Sequence, residues 1–382
     1  MEIMENDNKP SSIKIQKGRI LIYRAYDVAE EIDLWTLARL LPGDKKDSRV
    51  SLSGTPRQAL SMRASPVRIP IGTQELTIRN RVEVANVTAT FWDYGVVSLI
   101  FEIPIAEGTP VGDLIPVSAA INSDIVGTDD IDRAARDLLD KTSKKVAASF
   151  KAPSHWPFAE DYLIFFIEQL NVPEGASYLR TSGFLPELLL GEEVGKLSDQ
   201  VRASLAEHFF QYGKNDLAAI DWNSAVVVEP TGQRDVIDVV EFALSHLLEF
   251  RYFDDLLDKR LIELYDAIEA RRGTIWKSRY AQILRDANRK FIEFSEFIER
   301  VDNSLKVVGD FYVAVVYRAA LRRFRIQDWQ ASITRKMGVL ARVSEILQGE
   351  INVHRAHVLE IIIIFLIAFE IVSAILKGVF SP

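Results

Sequence analysis

The sequence predicts an α+β protein in which an N-terminal mixed α/β body precedes a long antiparallel helical, coiled-coil-like region and a C-terminal hydrophobic helix. Three observations predict this fold class. Strand-like and helical segments alternate as far as Glu229, no proline occurs from Thr231 to Ser381, and an apolar run lies near the end of the chain. The predicted divisions are a disordered lead (1–17), a mixed α/β domain (18–230), long antiparallel helices (233–357) and a hydrophobic helix (358–380).

Apolar segments rich in β-branched residues define the strands of the body. The predicted strands are Gly18–Tyr26, Val82–Phe91, Val96–Ile103, Tyr162–Ile167 and Ala225–Glu229. Asp93-Tyr94-Gly95 has the composition of a hairpin turn. Apolar residues at helical spacing predict helices over Glu30–Leu41 and Ile131–Phe150. These elements predict a mixed body and leave its topology open.

A regular apolar seam characterises the helical region. Ten apolar residues follow one another at steps of three and four: Leu284, Ala287, Phe291, Phe294, Ile298, Val301, Leu305, Val308, Tyr312 and Val315. Turns at Arg272–Thr274 and Arg325–Asp328 separate three helices. We therefore expect antiparallel helices packed at shallow angles. Four seam residues are expected to be largely buried: Phe291, Phe294, Ile298 and Leu305.

The apolar run 358–380 is long enough to suggest a membrane helix. At about 1.5 Å per residue it spans roughly 34 Å, against about 30 Å for a hydrocarbon core. Basic residues from Arg318 to Arg355 precede it, and only Lys377 approaches its far end. We expect a single-pass C-terminal anchor in contact with membrane lipid, with the body in the cytoplasm. The alternative is that a helix apolar on all sides packs within a soluble oligomer.

One face of this helix carries small and polar residues. Glu370, Ser373, Ala374 and Lys377 fall on a single broad face of a helical wheel. Residues grouped in this way usually contact another protein helix. With Glu360 they are the predicted assembly or anchor positions, and we expect a homo-oligomer.

Composition and motifs exclude several classes of site. The chain of 382 residues has a formal charge of −8 and no cysteine, which excludes disulfides, thiolate zinc sites and cysteine nucleophiles. The segment GEEVGK at Gly191–Lys196 lacks the Ser or Thr that completes a phosphate-binding loop. His246 and Glu249 lie one helical turn apart, which we interpret as structural. We predict no catalytic, cofactor-binding or metal-binding residue, no enzyme activity and no sequence-specific DNA binding.

A basic cluster is the most distinctive charge feature. Only Asp286 interrupts seven basic residues: Arg271, Arg272, Lys277, Arg279, Arg285, Arg289 and Lys290. Such a cluster predicts contact with anionic lipid head groups or with RNA. Its alternative interpretation is a solubilising helix surface.

Three segments resemble the "required for meiotic nuclear division" family. They are Tyr26–Leu34 (YDVAEEIDL), Phe91–Val97 (FWDYGVV) and Leu359–Ile371 (LEIIIIFLIAFEI), where Ile361 replaces the family's usual tryptophan. The resemblance implies a membrane-associated protein that assembles into large complexes. It also implies a link to translation, through the mitochondrial relatives. No catalytic residue carries over.

Together these features predict a membrane-anchored, self-associating scaffold or adaptor with a protein or ribonucleoprotein partner. Two alternatives stay open at this point. One is a soluble oligomer in which the C-terminal helix is an assembly element. The other is an enzyme or nucleotide-binding protein with its site in residues 105–230.

Overall fold

The computed structural model divides the chain into two compact units. The first unit comprises Met1–Phe253 and Phe294–Gln330, and the second comprises Asp254–Glu293 and Ala331–Pro382. Within them the structure describes residues 13–40, 65–122, 128–154, 156–269, 285, 289, 291–299 and 311–380. Side chains 267–269, 344–356, 358 and 372–380 are among those not described.

A large mixed sheet forms the centre of the first unit. The strands are β1 (Lys14–Asp27), β2 (Ala29–Ile32), β3 (Val67–Ile78), β4 (Arg81–Phe91), β5 (Val96–Pro104), β6 (Thr109–Pro110), β7 (Phe150–Pro153), β8 (Glu160–Leu170), β9 (Phe209–Phe210), β10 (Leu217–Ile220) and β11 (Ser224–Val228). The main sheet has the order β3-β4-β5-β1-β8-β11-β10-β9, and β6 pairs with β1. β8 and β11 are parallel, whereas β1 is antiparallel to both β5 and β8. β2 and β7 form a separate small sheet.

Helices cover the sheet and continue into the second unit. They are α1 (Leu34–Leu40), α2 (Ile115–Asn122), α3 (Thr128–Val146), α4 (Gly175–Thr181), α5 (Leu185–Leu190), α6 (Asp199–Ala206), α7 (Asp235–Glu269), α8 (Phe311–Arg323) and α9 (Ile326–Phe380). Residues 291–299 are also helical.

The two faces of the sheet have different partners. Ile20 and Ile22 of β1 belong to a large apolar core that includes residues of α1 to α5. Successive strand residues point to opposite faces, so Leu21 and Tyr23 lie on the second face. Both are fully buried. The second face contacts α7, because Trp92 stacks on Phe242 with ring centroids 5.2 Å apart. Covering both faces explains why the central strands are continuous apolar runs.

The structure confirms the mixed α/β class and the principal predicted strands. β1, β4, β5, β8 and β11 lie where the sequence predicts strands, and residues 93–95 form the turn between β4 and β5. The helix predicted over Glu30–Leu41 begins only at Leu34, because residues 29–32 pair with β7. Asp33 caps it by accepting hydrogen bonds from the backbone N–H groups of Trp35 and Thr36.

The predicted coiled-coil-like seam is not shown, and much of it lies outside the described residues. Phe294 is buried as predicted, but Phe291 is 43% exposed and Ile298 is half-buried. Phe297, which is not on the seam, is buried instead. The predicted break before the last helix is present, since Arg325 adopts a positive φ of 56° between α8 and α9.

The predicted membrane anchor is wrong. Among the residues that the structure describes, no helix combines the length and the apolar character needed to cross a bilayer. The single-pass anchor over 358–380, the membrane localisation and the function of a membrane-anchored scaffold are corrected accordingly. The described side chains of this segment, 359–371, include two exposed acids, Glu360 and Glu370.

Candidate functional site

A row of charged residues lies on the second face of the sheet, at the carboxyl end of β8. Alternation along β1, β5 and β8 places Arg19, Glu102 and Glu168 on the same face of the sheet, as diagonal neighbours. Arg19 Nη1 lies 2.6 Å from Glu102 Oε1, and its Nη2 lies 2.5 Å from Glu168 Oε1. Lys17 Nζ contacts Glu168 Oε2 at 2.5 Å. This row therefore joins three neighbouring strands through ion pairs.

Residues at the start of α7 extend this row inward. Arg68 Nη2 lies 2.5 Å from Glu241 Oε2 and 2.9 Å from Asp238 Oδ1. Arg234 links the two groups, because it lies 3.5 Å from Glu102 Oε2 and 3.6 Å from Asp238 Oδ1. We call these eight residues the charged network: Lys17, Arg19, Arg68, Glu102, Glu168, Arg234, Asp238 and Glu241. Its four bases balance its four acids.

Burial and neighbouring charges oppose each other within the charged network. Burial raises the pKa of Glu241, which is fully buried, and Arg68 acts against this rise. Burial lowers the pKa of Arg68. The attraction of Glu241 and Asp238 outweighs this effect and holds the pKa of Arg68 above its usual value. For Glu168, burial raises the pKa, and the bonds from Lys17 and Arg19 bring it below its usual value. The cations and carboxylates thus stabilise each other.

One polar group beside the charged network has no hydrogen-bond partner among the described residues. Tyr23 is fully buried on the second face, and its hydroxyl bonds to none of them. Burial raises its pKa, and Glu241 adds to the rise. The described residues hold no cluster of three or more His, Asp or Glu arranged to bind a metal. A charge-balanced network of this kind can hold α7 against the sheet.

An aromatic cluster surrounds the buried His246 further along α7. The His246 ring lies 4.1 Å from Phe242, 5.5 Å from Phe297 and 6.0 Å from Tyr94, between centroids. Its Nδ1 is 2.9 Å from the hydroxyl of Tyr317. Burial lowers the pKa of His246 to about 3, so the ring is neutral at ordinary pH. Such a histidine joins α7 to α8 inside the first unit.

The turn residue Tyr94 forms a polar chain inside this cluster. Ser245 Oγ donates to the carbonyl oxygen of Phe242 at 2.7 Å. Because this bond uses the only hydroxyl hydrogen of Ser245, the Tyr94 hydroxyl donates to Ser245 Oγ, at a distance of 2.5 Å. Trp92 of the same hairpin stacks on Phe242. The segment FWDYGVV therefore supplies packing residues for α7.

The predicted assembly residues lie in the second unit. Glu360 and Glu370 are exposed in α9, and His357 Nδ1 lies 3.5 Å from Glu360 Oε2. Ser373, Ala374 and Lys377 belong to the same helix, and their side chains lie outside the described residues. The structure therefore does not test their contacts.

Ten large apolar side chains stand between and beside these acids, and each is exposed by 48–73%. They are Leu359, Ile361, Ile362, Ile363, Ile364, Phe365, Leu366, Ile367, Phe369 and Ile371. We call residues 359–371 the apolar segment of α9.

Most of the basic cluster predicted to contact lipid or RNA lies outside the described residues. This applies to Arg271, Arg272, Lys277, Arg279 and Lys290. Arg285 and Arg289 are described and exposed. Arg289 Nε lies 3.8 Å from Glu293 Oε1.

Sequence reasoning missed the charged network, because its members are spread along the chain without a motif. One signal was available in α7. Every residue from Val236 to Phe250 is buried, so Asp238 and Glu241 are acids within an apolar helix. Acids in such a helix require partners, which are here Arg68 and Arg234.

These features define a mixed α/β sheet domain whose second face receives a buried helix through ion pairs. Residues 17–235 match the family described as "Uncharacterized protein MJ0711, N-terminal domain", which covers more than half of the chain. The chain belongs to this family. The match ends at the first residue of α7, so it includes Lys17 to Arg234 of the charged network but not Asp238 and Glu241.

One relative is the Uncharacterized protein MJ0711 of Methanocaldococcus jannaschii. It is 20% identical over 221 residues, which is 58% of this chain and 67% of the relative. No solved structure matches the chain. The resemblance to the "required for meiotic nuclear division" family is a separate prediction that these matches do not test.

Proposed function

We propose that the chain self-associates through the apolar segment of α9, and that the contacts are made with other copies of the same chain. One observation carries this proposal. The four consecutive isoleucines 361–364 are each exposed by 48–57%. Successive helix residues are about 100° apart, so these four side chains occupy every side of the helix. An exposed surface of this kind marks an interaction site.

The area of this surface fits a stable interface. A large apolar residue has a total surface on the order of 150–200 Å², so ten such residues about half exposed present roughly 1,000 Å². A stable interface buries about 800 Å² on each partner. The apolar segment is also complementary to itself, because one apolar helix packs well against an identical one.

The arrangement around the helix determines the expected number of copies. One neighbouring helix covers one side of α9 only. Covering apolar residues on every side requires at least two neighbours. We therefore expect an assembly of three or more chains, in which Glu360 and Glu370 lie at polar positions of the interface or its rim.

We include in the same proposal the long antiparallel helices predicted for 233–357. They form the region that supports the apolar segment of α9. The absence of proline from Thr231 to Ser381 supports it. Phe294, which is buried against Phe250 and Phe253, contributes to the packing of the first unit.

Light scattering coupled to size exclusion tests the contact surface. Ile363→Glu puts a charge on the apolar segment, and we expect it to shift the full chain toward monomer. Ile262→Glu is the matched control, because Ile262 is an isoleucine of α7 in the second unit that is 59% exposed. The control should keep the wild-type mass.

Two results would overturn the proposal. One is an Ile363→Glu variant that assembles like the wild type. The other is a monomeric wild-type chain that co-sediments with lipid vesicles, since the apolar segment would then have a different occupant.

A further inference from the structure

The turn between β10 and β11 displays an exposed tryptophan on a firmly held backbone. Trp222 is 63% exposed and makes no ring contact with any described residue. The Tyr162 hydroxyl lies 2.8 Å from the carbonyl oxygens of both Asp221 and Ser224, on either side of this turn. Ser224 Oγ donates to the Leu189 carbonyl oxygen at 2.7 Å. The backbone of the turn that carries the indole therefore needs little ordering before binding.

An ion pair joins this turn to the end of α8. Asp221 is fully buried, and Arg323 Nε lies 2.6 Å from its Oδ1. Asp221 immediately precedes Trp222, and Arg323 immediately follows Arg322. The pair thus fixes the β10–β11 turn, which carries Trp222, against the end of α8, which carries Arg322.

Two arginines on this part of α8 are exposed at the protein surface. Arg318 and Arg322 are exposed, stand one helical turn apart, and form no ion pair with any described residue. Arg325 differs, since its Nε lies 2.7 Å from Asp328 Oδ2. Of the cations that the structure describes here, Arg318 and Arg322 are thus the exposed ones that no described acid pairs.

The half-buried His208 lies near β10 and feels the charges at the end of α8. Its carbonyl oxygen accepts a hydrogen bond from the Ile220 N–H, which places it beside β10. The pKa of His208 is lowered, first by burial and then by Arg323. Arg322 acts in the same direction, against Asp221 and Glu207. Charges at the end of α8 thus act on a residue beside β10, in agreement with the Asp221–Arg323 ion pair.

We propose that Trp222, Arg318 and Arg322 form a contact surface for single-stranded RNA, with a base stacked on the indole and phosphates bound by the two guanidinium groups. We call these three residues the Trp222 surface. Stacking on an exposed aromatic ring requires an unpaired base, and RNA presents such bases in loops and ends. Arginine binds phosphate through two parallel hydrogen bonds. An acidic peptide would use the cations but leave the indole without a stacking partner.

The charge of the whole chain predicts how this binding depends on salt. The two cations of the Trp222 surface neutralise phosphates, so binding should weaken as salt rises. The formal charge of −8 repels RNA at long range, and salt screens this repulsion, which acts in the opposite direction. For single strands the slope of log K against log salt is about 0.7 per phosphate neutralised.

Fluorescence anisotropy with a labelled oligouridylate of about 12 nucleotides tests the proposal on the full chain. Trp222→Ala should weaken binding by about 5- to 150-fold, the range expected for one stacked base. Trp222→Phe should retain most of the affinity, because it keeps an aromatic ring. The double variant Arg318→Gln/Arg322→Gln should reduce the salt slope by about 1.4.

Helix α1 offers a matched control. Trp35 is 70% exposed, and Arg39 follows it by four positions and is also exposed. Trp35→Ala and Arg39→Gln remove the same types of side chain elsewhere in the first unit. Both should bind the oligonucleotide like the wild type.

Five results would overturn the inference. They are no binding by the wild type, no loss with the Trp222→Ala and arginine variants, equal loss with the α1 controls, equal competition by polyglutamate, and equal affinity for duplex RNA. Circular dichroism identifies any variant that fails to fold. If Trp222→Ala fails, the double variant Arg318→Gln/Arg322→Gln at two exposed positions keeps the test available.

Discussion

The charged network and the apolar segment of α9 both depart from the usual distribution of side chains, in opposite directions. In the first unit, Asp238 and Glu241 are buried in a helix. In the second unit, isoleucines 361–364 are exposed on a helix. The buried acids have partners inside the chain, since Arg68 contacts both. The exposed isoleucines differ, because no described residue buries them.

This difference separates a structural role from an assembly role. A buried ion pair contributes little net stability but makes the loss of either partner costly. An exposed apolar surface adds no stability until a partner covers it. The first region therefore explains how the fold holds together, and the second indicates what it contacts. The predictions below test each side of this contrast.

The largest expected effect comes from acidification, because His246 is buried and neutral. Its pKa is about 3, against an ordinary value of 6.5. Between these values the unfolded chain binds a proton that the folded chain does not. The free energy of unfolding should therefore fall as the pH falls from 6.5 toward 3, by on the order of 5 kcal/mol in all.

Urea unfolding at a series of pH values measures this loss. His246→Gln removes the titrating group, so its stability should fall less over the same range than that of the wild type. Parallel pH profiles for the two proteins would show that His246 does not carry the effect.

A second prediction removes the cation at the centre of the charged network. Arg68→Met leaves Asp238 and Glu241 without their shared partner, and we expect a loss of about 3–5 kcal/mol in unfolding free energy. Because the pKa of Glu241 is raised, protonation should relieve part of this loss as the pH is lowered.

The matched control for Arg68 is an exposed arginine in an ion pair. Arg133 contacts Asp130, with side chains 69% and 46% exposed, so Arg133→Met should cost less than about 1 kcal/mol. Similar losses for Arg68→Met and Arg133→Met in denaturant unfolding would refute the account of the charged network.

The smallest expected effect concerns the Tyr23 hydroxyl. It is buried without a hydrogen-bond partner among the described residues, so Tyr23→Phe should be neutral or stabilise the fold by up to about 1 kcal/mol. Tyr162→Phe is the control, because the Tyr162 hydroxyl donates to backbone carbonyl oxygens. We expect that change to cost about 1–3 kcal/mol. Equal losses in thermal unfolding would mean that Tyr23 has a partner.

The central strands could be predicted from the sequence because they are buried on both faces. β1, β5 and β8 are apolar runs, and the turn residues 93–95 separate β4 from β5. β3 could not be predicted in this way, because Pro70 and Gly72 interrupt its pattern at a register shift. Apolar residues at helical spacing over Glu30–Leu41 predict a helix where β2 lies. The strand could not be predicted, because its pairing with β7 depends on residues about 120 positions away along the chain.

The candidate sites were less predictable, because they depend on distant contacts. The charged network joins β1, β3, β5, β8 and α7, and no local pattern places these elements together. Hydropathy identified the apolar segment but assigned it to a membrane, because composition alone does not distinguish lipid from other copies of the chain. The turn that carries Trp222 and the end of α8 that carries Arg322 are distant in sequence, and the Asp221–Arg323 ion pair joins them.

Sedimentation equilibrium of the full wild-type chain, in buffer without detergent and over a range of concentrations, tests the central claim most directly. The chain mass is 43.2 kDa. We expect a limiting mass of three or more chains, which decreases on dilution. A mass of one chain at every concentration would contradict assembly through the apolar segment of α9.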